Sequence, residues 1–517
     1  MTQAQIERVS TGIPELDSIL EGGLLKGGVY LVQGPPGSGK TILGNQICYA
    51  HGKSGGSAIF LTLLAESHTR MLGHLRRMKF FDPALIPERV FYVSGLKVLD
   101  TEGFSGFIRM VRETVTSRGA SLLVLDGFAS TENTSSTPKD LKKFVHEIQS
   151  ITGMTNCTAL LLSSTDRPTA SRPEHTMVDG IIELSDEIAK LGPLRHLRVR
   201  KMRGADQIRG KHTFEIKDDG IVVHPRIEKQ LQNWRRDEES TPSSARFPFG
   251  VPELDKMLRG GLPGNSFTMV LGPTGIGKTI LGIQYLVEGA RRGEAGVFFG
   301  FFEHPEALRK KSRRLKLGLE EMEEKGLIEI VWQPPIENVI DILGERLLSS
   351  IKRVKARRLF IDGLQAFQLA LDDFPDRIRG VFSVFVDELE RMGVTSVYTV
   401  EIRAFFGPTM DVPVDGISSS THNTILLRYI EVRSRLHRLL SILKVRDSEH
   451  DASIREFQIT NEGLVVGDSL PEGDLSYVGT GRLSGVALPS SLTPTKRTSA
   501  KKAAPKSTPK KQARRKR

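Results

Sequence analysis

Residues 34–41 read GPPGSGKT, and residues 272–279 read GPTGIGKT. Both fit the pattern G-x-x-x-x-G-K-[ST]. Each follows a short apolar run, 29–33 (VYLVQ) or 267–271 (FTMVL), and opens a segment with helical spacing. That strand–loop–helix context turns the pattern into a phosphate cradle. Backbone N–H groups of Gly34, Pro35, Pro36, Gly37, Ser38 and Gly39, Pro excepted, turn inward on phosphate oxygens. Gly272, Pro273, Thr274, Gly275, Ile276 and Gly277 do the same in the second copy. The helix N-terminus adds its partial positive charge. Lys40 and Lys278 would reach the β- and γ-phosphates, and Thr41 and Thr279 would set a hydroxyl on Mg²⁺. A chance match is expected at about 0.05 per chain of this length, so two in matching context exclude coincidence.

Working outward, the two loops belong to a duplication. Residues 11–20 (TGIPELDSIL) and 249–258 (FGVPELDKML) align at the same offset of 238 that carries Lys40 to Lys278. Gly12, Pro14 and Asp17 meet Gly250, Pro252 and Asp255 without a gap. A repeat of this length is a whole domain, far longer than a solenoid unit. Residues 229–245 (KQLQNWRRDEESTPSSA) have the charged, Ser/Pro-rich composition of a linker. The expected organisation is a first domain at 1–228, a linker at 229–245, a second domain at 246–468 and a disordered tail at 469–517.

Apolar runs at 58–64, 122–125 and 160–164 alternate with helical patterns, such as the one around 139–150. The second copy repeats this at 297–301, 359–361 and 396–400. Such alternation predicts an α/β fold: a mostly parallel central sheet with helices on both faces, once per domain.

Asp126 ends LLVLDG and Asp362 ends RLFIDG, where a carboxylate holds the Mg²⁺ shell through water. Neither is followed by Glu, so the water-activating carboxylate must come from elsewhere. Glu66 lies 26 residues after Lys40, and Glu303 lies 25 after Lys278. Both sit past the strand that follows the loop helix, at its carboxyl end, where open α/β sheets do their chemistry.

The remaining composition narrows the classes. The chain has 517 residues, 38% hydrophobic and 26% charged, which suits a core-forming protein. Aromatics at 6% argue against stacking platforms for single-stranded nucleic acid. Two cysteines exclude a disulfide scaffold and a Cys₄ zinc site, and point to a reducing cytoplasm. No apolar run approaches 18 residues, so no membrane span is expected. Residues 1–10 lack a basic stretch followed by an apolar one, so no signal peptide is expected. Eleven of the positive charges, with no acid among them, fall in residues 496–517; this leaves only +1 of the net +12 for the rest. The basic character therefore belongs to the tail, a candidate for nucleic acid or another polyanion.

The arrangement is that of RecA-type ATPases. More specifically, residues 8–468 resemble the KaiC family. The resemblance rests on G-x-P-x-L-D-x-x-L-x-G-G-L at 12–24 and 250–262, on both P-loops and on Lys201-Met202-Arg203-Gly204 followed by 212–216 (HTFEI). Lys444-Val445-Arg446 and 454–457 (IREF) mark the second copy. The resemblance implies a homo-hexameric ring with ATP and Mg²⁺ at subunit interfaces. Lys201, Arg203, Lys444 and Arg446 would then act on a neighbour's nucleotide. It also implies autophosphorylation in the second domain. Counting back without gaps from Lys444 puts the acceptors at Ser418 and Ser419, with Thr421 nearby.

Two departures stand out. Family members carry paired glutamates at the catalytic position; here Ala65 and Phe302 replace the first of each pair. Asp447 stands where the family has Gly. Three readings stay open: a ring ATPase and autokinase used in signalling or timing, a DNA-binding RecA-like motor using the tail, and a nucleotide-gated scaffold that does not turn over. The sequence names no regulator.

Overall fold

A computed structural model describes residues 7–63, 68–128, 138–165, 173–189, 192–231, 244–334, 339–402, 421–432, 435–446 and 448–469. Residues 29–34 form a strand because six consecutive positions are buried and no polar register is imposed on them. That strand sits at the middle of a nine-stranded sheet.

In the first domain, β1 (Arg8–Val9) and β2 (Leu24–Leu25) form a small ribbon. The sheet comprises β3 (Val29–Gly34), β4 (Ala58–Thr62), β5 (Val90–Ser94), β6 (Leu122–Asp126), β7 (Thr158–Ser164), β8 (Gly180–Ala189), β9 (Gly192–Met202), β10 (His212–Lys217) and β11 (Gly220–His224). Its order is β11-β10-β9-β8-β3-β7-β6-β4-β5. The run from β8 to β5 is parallel; β9, β10 and β11 extend it by antiparallel pairing.

The second domain repeats this strand for strand. After a ribbon of β12 (Arg246–Phe247) and β13 (Leu262–Pro263) come β14 (Phe267–Gly272), β15 (Gly296–Gly300), β16 (Ile328–Trp332), β17 (Arg358–Asp362), β18 (Thr395–Glu401), β19 (Asn423–Val432), β20 (Arg435–Val445), β21 (Arg455–Thr460) and β22 (Gly463–Ser469). Their order, β16-β15-β17-β18-β14-β19-β20-β21-β22, is the same topology read from the other edge. The fold is thus two tandem RecA-like α/β domains.

Strand alternation sorts the core to two faces. Val29 and Leu31 join Ile59, Leu61, Leu123 and Leu125 on one face, against helices Leu96–Ser117 and Pro138–Thr155. Tyr30 and Val32 join Phe60, Val124 and Leu160 on the other, against helix Lys40–Lys53. The second domain divides likewise, with helices Ile340–Val354 and Ile378–Arg391 on one face and Lys278–Arg291 on the other. Each fully buried aliphatic side chain contributes about 1.5–3 kcal/mol.

The end of the first domain docks on the second. In the short helix Ile227–Gln230, Ile227 is buried with Ile340, Leu343 and Phe385 of the second core. A Cβ on Gly344 would stand 2.3 Å from Ile227 Cδ1 and 2.5 Å from Phe385 Cζ, so a larger residue there would push these side chains aside. Around it lies a charged knot. Arg377 bonds Glu228 at 2.7 and 2.9 Å and Asp341 at 2.6 Å, and Arg226 bonds Glu228 at 2.8 Å. The Ile227 N–H donates to Asp341 at 3.1 Å. Glu228 and Asp341 are both buried. Two guanidiniums therefore face two carboxylates, which is the condition for burying charge. Beside them His224 bridges Glu345 (2.8 Å) and Glu215 (3.1 Å).

Candidate functional site

The phosphate loops follow β3 and β14 directly. Gly39 and Gly277 initiate the loop helices with φ of 96° and 123°, a conformation that non-glycine residues avoid. That twist aims successive N–H groups at one point above the helix N-terminus. Lys40 reaches across its own loop: its ammonium donates to the carbonyls of Gly34 (2.9 Å) and Pro35 (2.7 Å). Lys278 does the same to Gly272 (2.7 Å) and Pro273 (2.9 Å). Burial holds both ammoniums below the usual lysine range, opposed by the charge of Asp126 or Asp362. A partly desolvated lysine on neutral oxygens, with Lys40 also 3.5 Å from the Ser38 hydroxyl, is poised for a stronger anionic partner.

Under each loop a hydroxyl meets a carboxylate. Thr41 Oγ1 donates to Asp126 Oδ2 at 2.7 Å, and Thr279 Oγ1 to Asp362 Oδ2 at 2.7 Å. The residues are about 85 apart in sequence, yet the sheet brings them together twice. β6 and β17 each end one strand over from their P-loop strand's partner. Such oxygen donors suit a hard divalent cation. No three or more His, Cys, Asp or Glu side chains gather into a metal cage among the described residues.

In the second site the aspartate has a further bond. Thr399 Oγ1 donates to Asp362 Oδ1 at 2.7 Å and accepts the Gly363 N–H at 2.8 Å. Burial raises the Asp362 carboxyl; the Thr279 and Thr399 hydroxyls oppose that, while the charge of Glu303 adds to it. Glu303 is therefore an electrostatic neighbour of Asp362. Its own carboxylate is taken by Lys311 of helix Pro305–Arg314, at 2.6 and 2.7 Å. Phe302 is 61% exposed, with its ring against Gly363: a Cβ there would lie 2.5 Å from Phe302 Cε2. An apolar ring thus covers the turn beside Asp362.

Lys201 and Arg203 are not brought to their own P-loop. Lys201 pairs with Ile181 on β8, and Ile181 with Leu31 on β3, toward the strand's amino end. The loop lies at the carboxyl end of β3. Lys201 donates to the carbonyls of His175 and Thr176 (3.0 and 3.1 Å), and Arg203 to Thr176 (3.2 Å) and Asp179 (3.3 Å). Burial and the Arg203 charge hold the Lys201 ammonium low. Lys444 occupies the matching place on β20 and donates to the Thr421 carbonyl at 2.8 Å. Arg446, which follows it, is exposed. Thr421 itself is buried, so its hydroxyl is not presented. Glu66, Ala65, Ser418, Ser419, Asp447 and the tail lie outside the described residues.

Sequence reasoning missed Thr399 and Lys311. Thr399 lies in an apolar strand and was hidden by it. Lys311 lies in a basic run, RKKSRR, where one cation looks like the next.

Two RecA-like domains in one chain, each with a phosphate loop over a Thr–Asp pair, define a tandem P-loop ATPase. The family model described as "ATPase: KaiC" matches residues 9–228 and 247–470, and the chain belongs to that family. It is 26% identical over 485 residues to the circadian clock oscillator protein KaiC of Picosynechococcus sp., covering 90% of each chain. It is 27% identical over 495 residues to the same-named protein of Rippkaea orientalis, again over 90% of each. The circadian clock oscillator protein KaiC 1 of Synechocystis sp. is 27% identical over 488 residues, with 90% of each chain covered. Among the described residues, no helix is long and apolar enough to cross a membrane.

Proposed function

We propose that the chain binds Mg-ATP at both P-loops, hydrolyses it, and assembles with five further copies into a double ring. The observation that carries this reading is the Thr–Asp pair repeated beneath each loop. Thr41 with Asp126, and Thr279 with Asp362, would hold Mg²⁺, the hydroxyl directly and the carboxylate through water. The cation, when bound, neutralises charge on the β- and γ-phosphates. Lys40 and Lys278 exchange loop carbonyls for phosphate oxygens. Glu66 and Glu303 orient and deprotonate the attacking water.

Lys201 and Arg203 lie at the far end of the sheet from their own loop. That supports a role toward a neighbour's nucleotide, with Lys444 and Arg446 alike in the second ring. The names of the relatives support a signalling or timing role. The buried, free Cys48 and Cys157 support a cytoplasmic location. Ser418 and Ser419 are the proposed phosphate acceptors, with transfer held below hydrolysis by Phe302 in the place of the family's first glutamate.

Two specific observations favour narrower alternatives. Phe302 and the Glu303–Lys311 pair favour a second domain that holds nucleotide more than it turns it over. The eleven cations of residues 496–517 favour a polyanion, nucleic acid included, as a tail partner.

The test is incubation with γ-labelled Mg-ATP, following free phosphate and label on protein. Free phosphate in excess of label is expected, with the label lost in Ser418→Ala/Ser419→Ala. Neither product would leave the nucleotide-gated scaffold. Phosphate release stimulated by DNA, and lost on deleting residues 490–517, would favour the DNA-dependent motor.

A further inference from the structure

From the second site we infer that Lys311 is a latch on Glu303, and that it sets the turnover of the second domain by keeping its water-activating carboxylate engaged elsewhere. The inference rests on the reading of Glu303 as the base.

The backbone around Glu303 is pinned on both sides. Ahead of it, the Phe301 carbonyl accepts from Trp332 Nε1 at 3.2 Å, and the Phe302 ring lies on Gly363. After it, the His304 ring meets Trp332 edge-on at 4.8 Å, and His304 Nδ1 accepts the Glu306 N–H at 3.3 Å to cap helix Pro305–Arg314. With the main chain fixed, only the side-chain torsions of Glu303 decide where its carboxylate points. One direction is the cation site, whose Asp362 already feels the Glu303 charge. The other is Lys311, two turns into the helix, which holds both carboxylate oxygens at 2.6 and 2.7 Å.

A carboxylate bonded through both oxygens to an ammonium is a poor proton acceptor for a water elsewhere. Hydrolysis at this site therefore requires the pair to separate. Glu303 and Lys311 are 34% and 24% exposed, so solvent screens the pair and the latch is soft. Glu66 and Glu303 are each followed eight residues later by a different group: His74 in one case, Lys311 in the other. In sequence, a histidine thus stands where the second domain has the lysine that holds Glu303.

The test uses the full chain with Glu66→Gln, which silences the first site and leaves phosphate release to the second. Lys311→Met is expected to raise kcat about two- to five-fold, the range of a screened ion pair, with KM for ATP unchanged. Lys311→His, which copies the first domain, is expected to raise it as well. Lys311→Arg is expected to keep the slow rate, because a guanidinium also holds both oxygens. Glu303→Gln added to Lys311→Met is expected to abolish the gain. Unchanged thermal midpoints would keep the comparison clean of folding effects. If Glu303→Gln stops turnover but Lys311→Met does not raise it, the latch is wrong. If Glu303→Gln leaves turnover unchanged, the base assignment fails and the latch falls with it.

Discussion

The two domains share a topology strand for strand, and the second has its own set of contacts around the P-loop aspartate and Glu303. Both fold their P-loop lysine onto the loop's own carbonyls, and both tie a threonine to an aspartate at 2.7 Å. The nucleotide-binding parts have been kept twice. In the second site Thr399 stands behind the aspartate, a phenylalanine lies beside it and a lysine holds the nearby glutamate. Leu162 stands where Thr399 would be in the first domain, by the register of β3 with β7 and of β14 with β18. Thr399 braces the aspartate, and Lys311 holds both oxygens of Glu303. The comparison teaches that duplication kept the cradle and the Thr–Asp pair unchanged, and the proposed division between holding and hydrolysing rests on what surrounds the second glutamate.

The largest expected effect breaks the comparison at its joint. Arg377→Ala leaves Glu228 and Asp341 buried without their shared guanidinium, which costs about 3–5 kcal/mol. The expected result is a single thermal transition that divides into two, one per domain, read by calorimetry. Those transitions would give each domain's own stability, and the better-braced second domain should melt later. A single transition at an unchanged temperature would show that the knot does not join the domains.

A smaller effect sharpens the same joint by pH. Burial lowers His224, but the bonds and charges of Glu345 and Glu215 outweigh it, so its pKa is raised overall. A raised histidine contributes stability that is fully present below its unfolded value, near 6.5, and lost as pH rises through the folded value. His224→Gln should therefore flatten the loss of inter-domain stability above about pH 6.5, by roughly 1 kcal/mol or less. Melting curves of both proteins across that window check it; parallel curves would remove His224 from the joint.

Much of this was legible in the sequence for physical reasons. GPPGSGKT and GPTGIGKT announce both fold and cradle, because a phosphate loop works only between a strand and a helix. Asp126 and Asp362 were legible as the polar ends of apolar strands. What stayed hidden depends on contacts far apart in the chain. Glu228, Asp341 and Arg377 each read as ordinary helix charges, and only folding brings them into one buried knot. Arg358 opens a strand that reads as core, yet its side chain is fully buried. It bonds Glu294 at 2.7 Å and the carbonyls of Pro248 and Tyr285 at 2.6 and 2.8 Å. Lys311 was one cation in a basic run. The resemblance covered the Lys201 and Lys444 positions, and the sheet register then put them at the strand ends away from their own loops.

The most direct measurement is free-phosphate release by the full chain with Lys40→Ala or with Lys278→Ala. Each change removes one site's phosphate contact, with an effect on that site on the order of a hundredfold. The account predicts that Lys40→Ala removes the larger share of total release, while Lys278→Ala mainly reduces the nucleotide retained by the chain. A larger loss of release from Lys278→Ala would contradict the division between holding and hydrolysing.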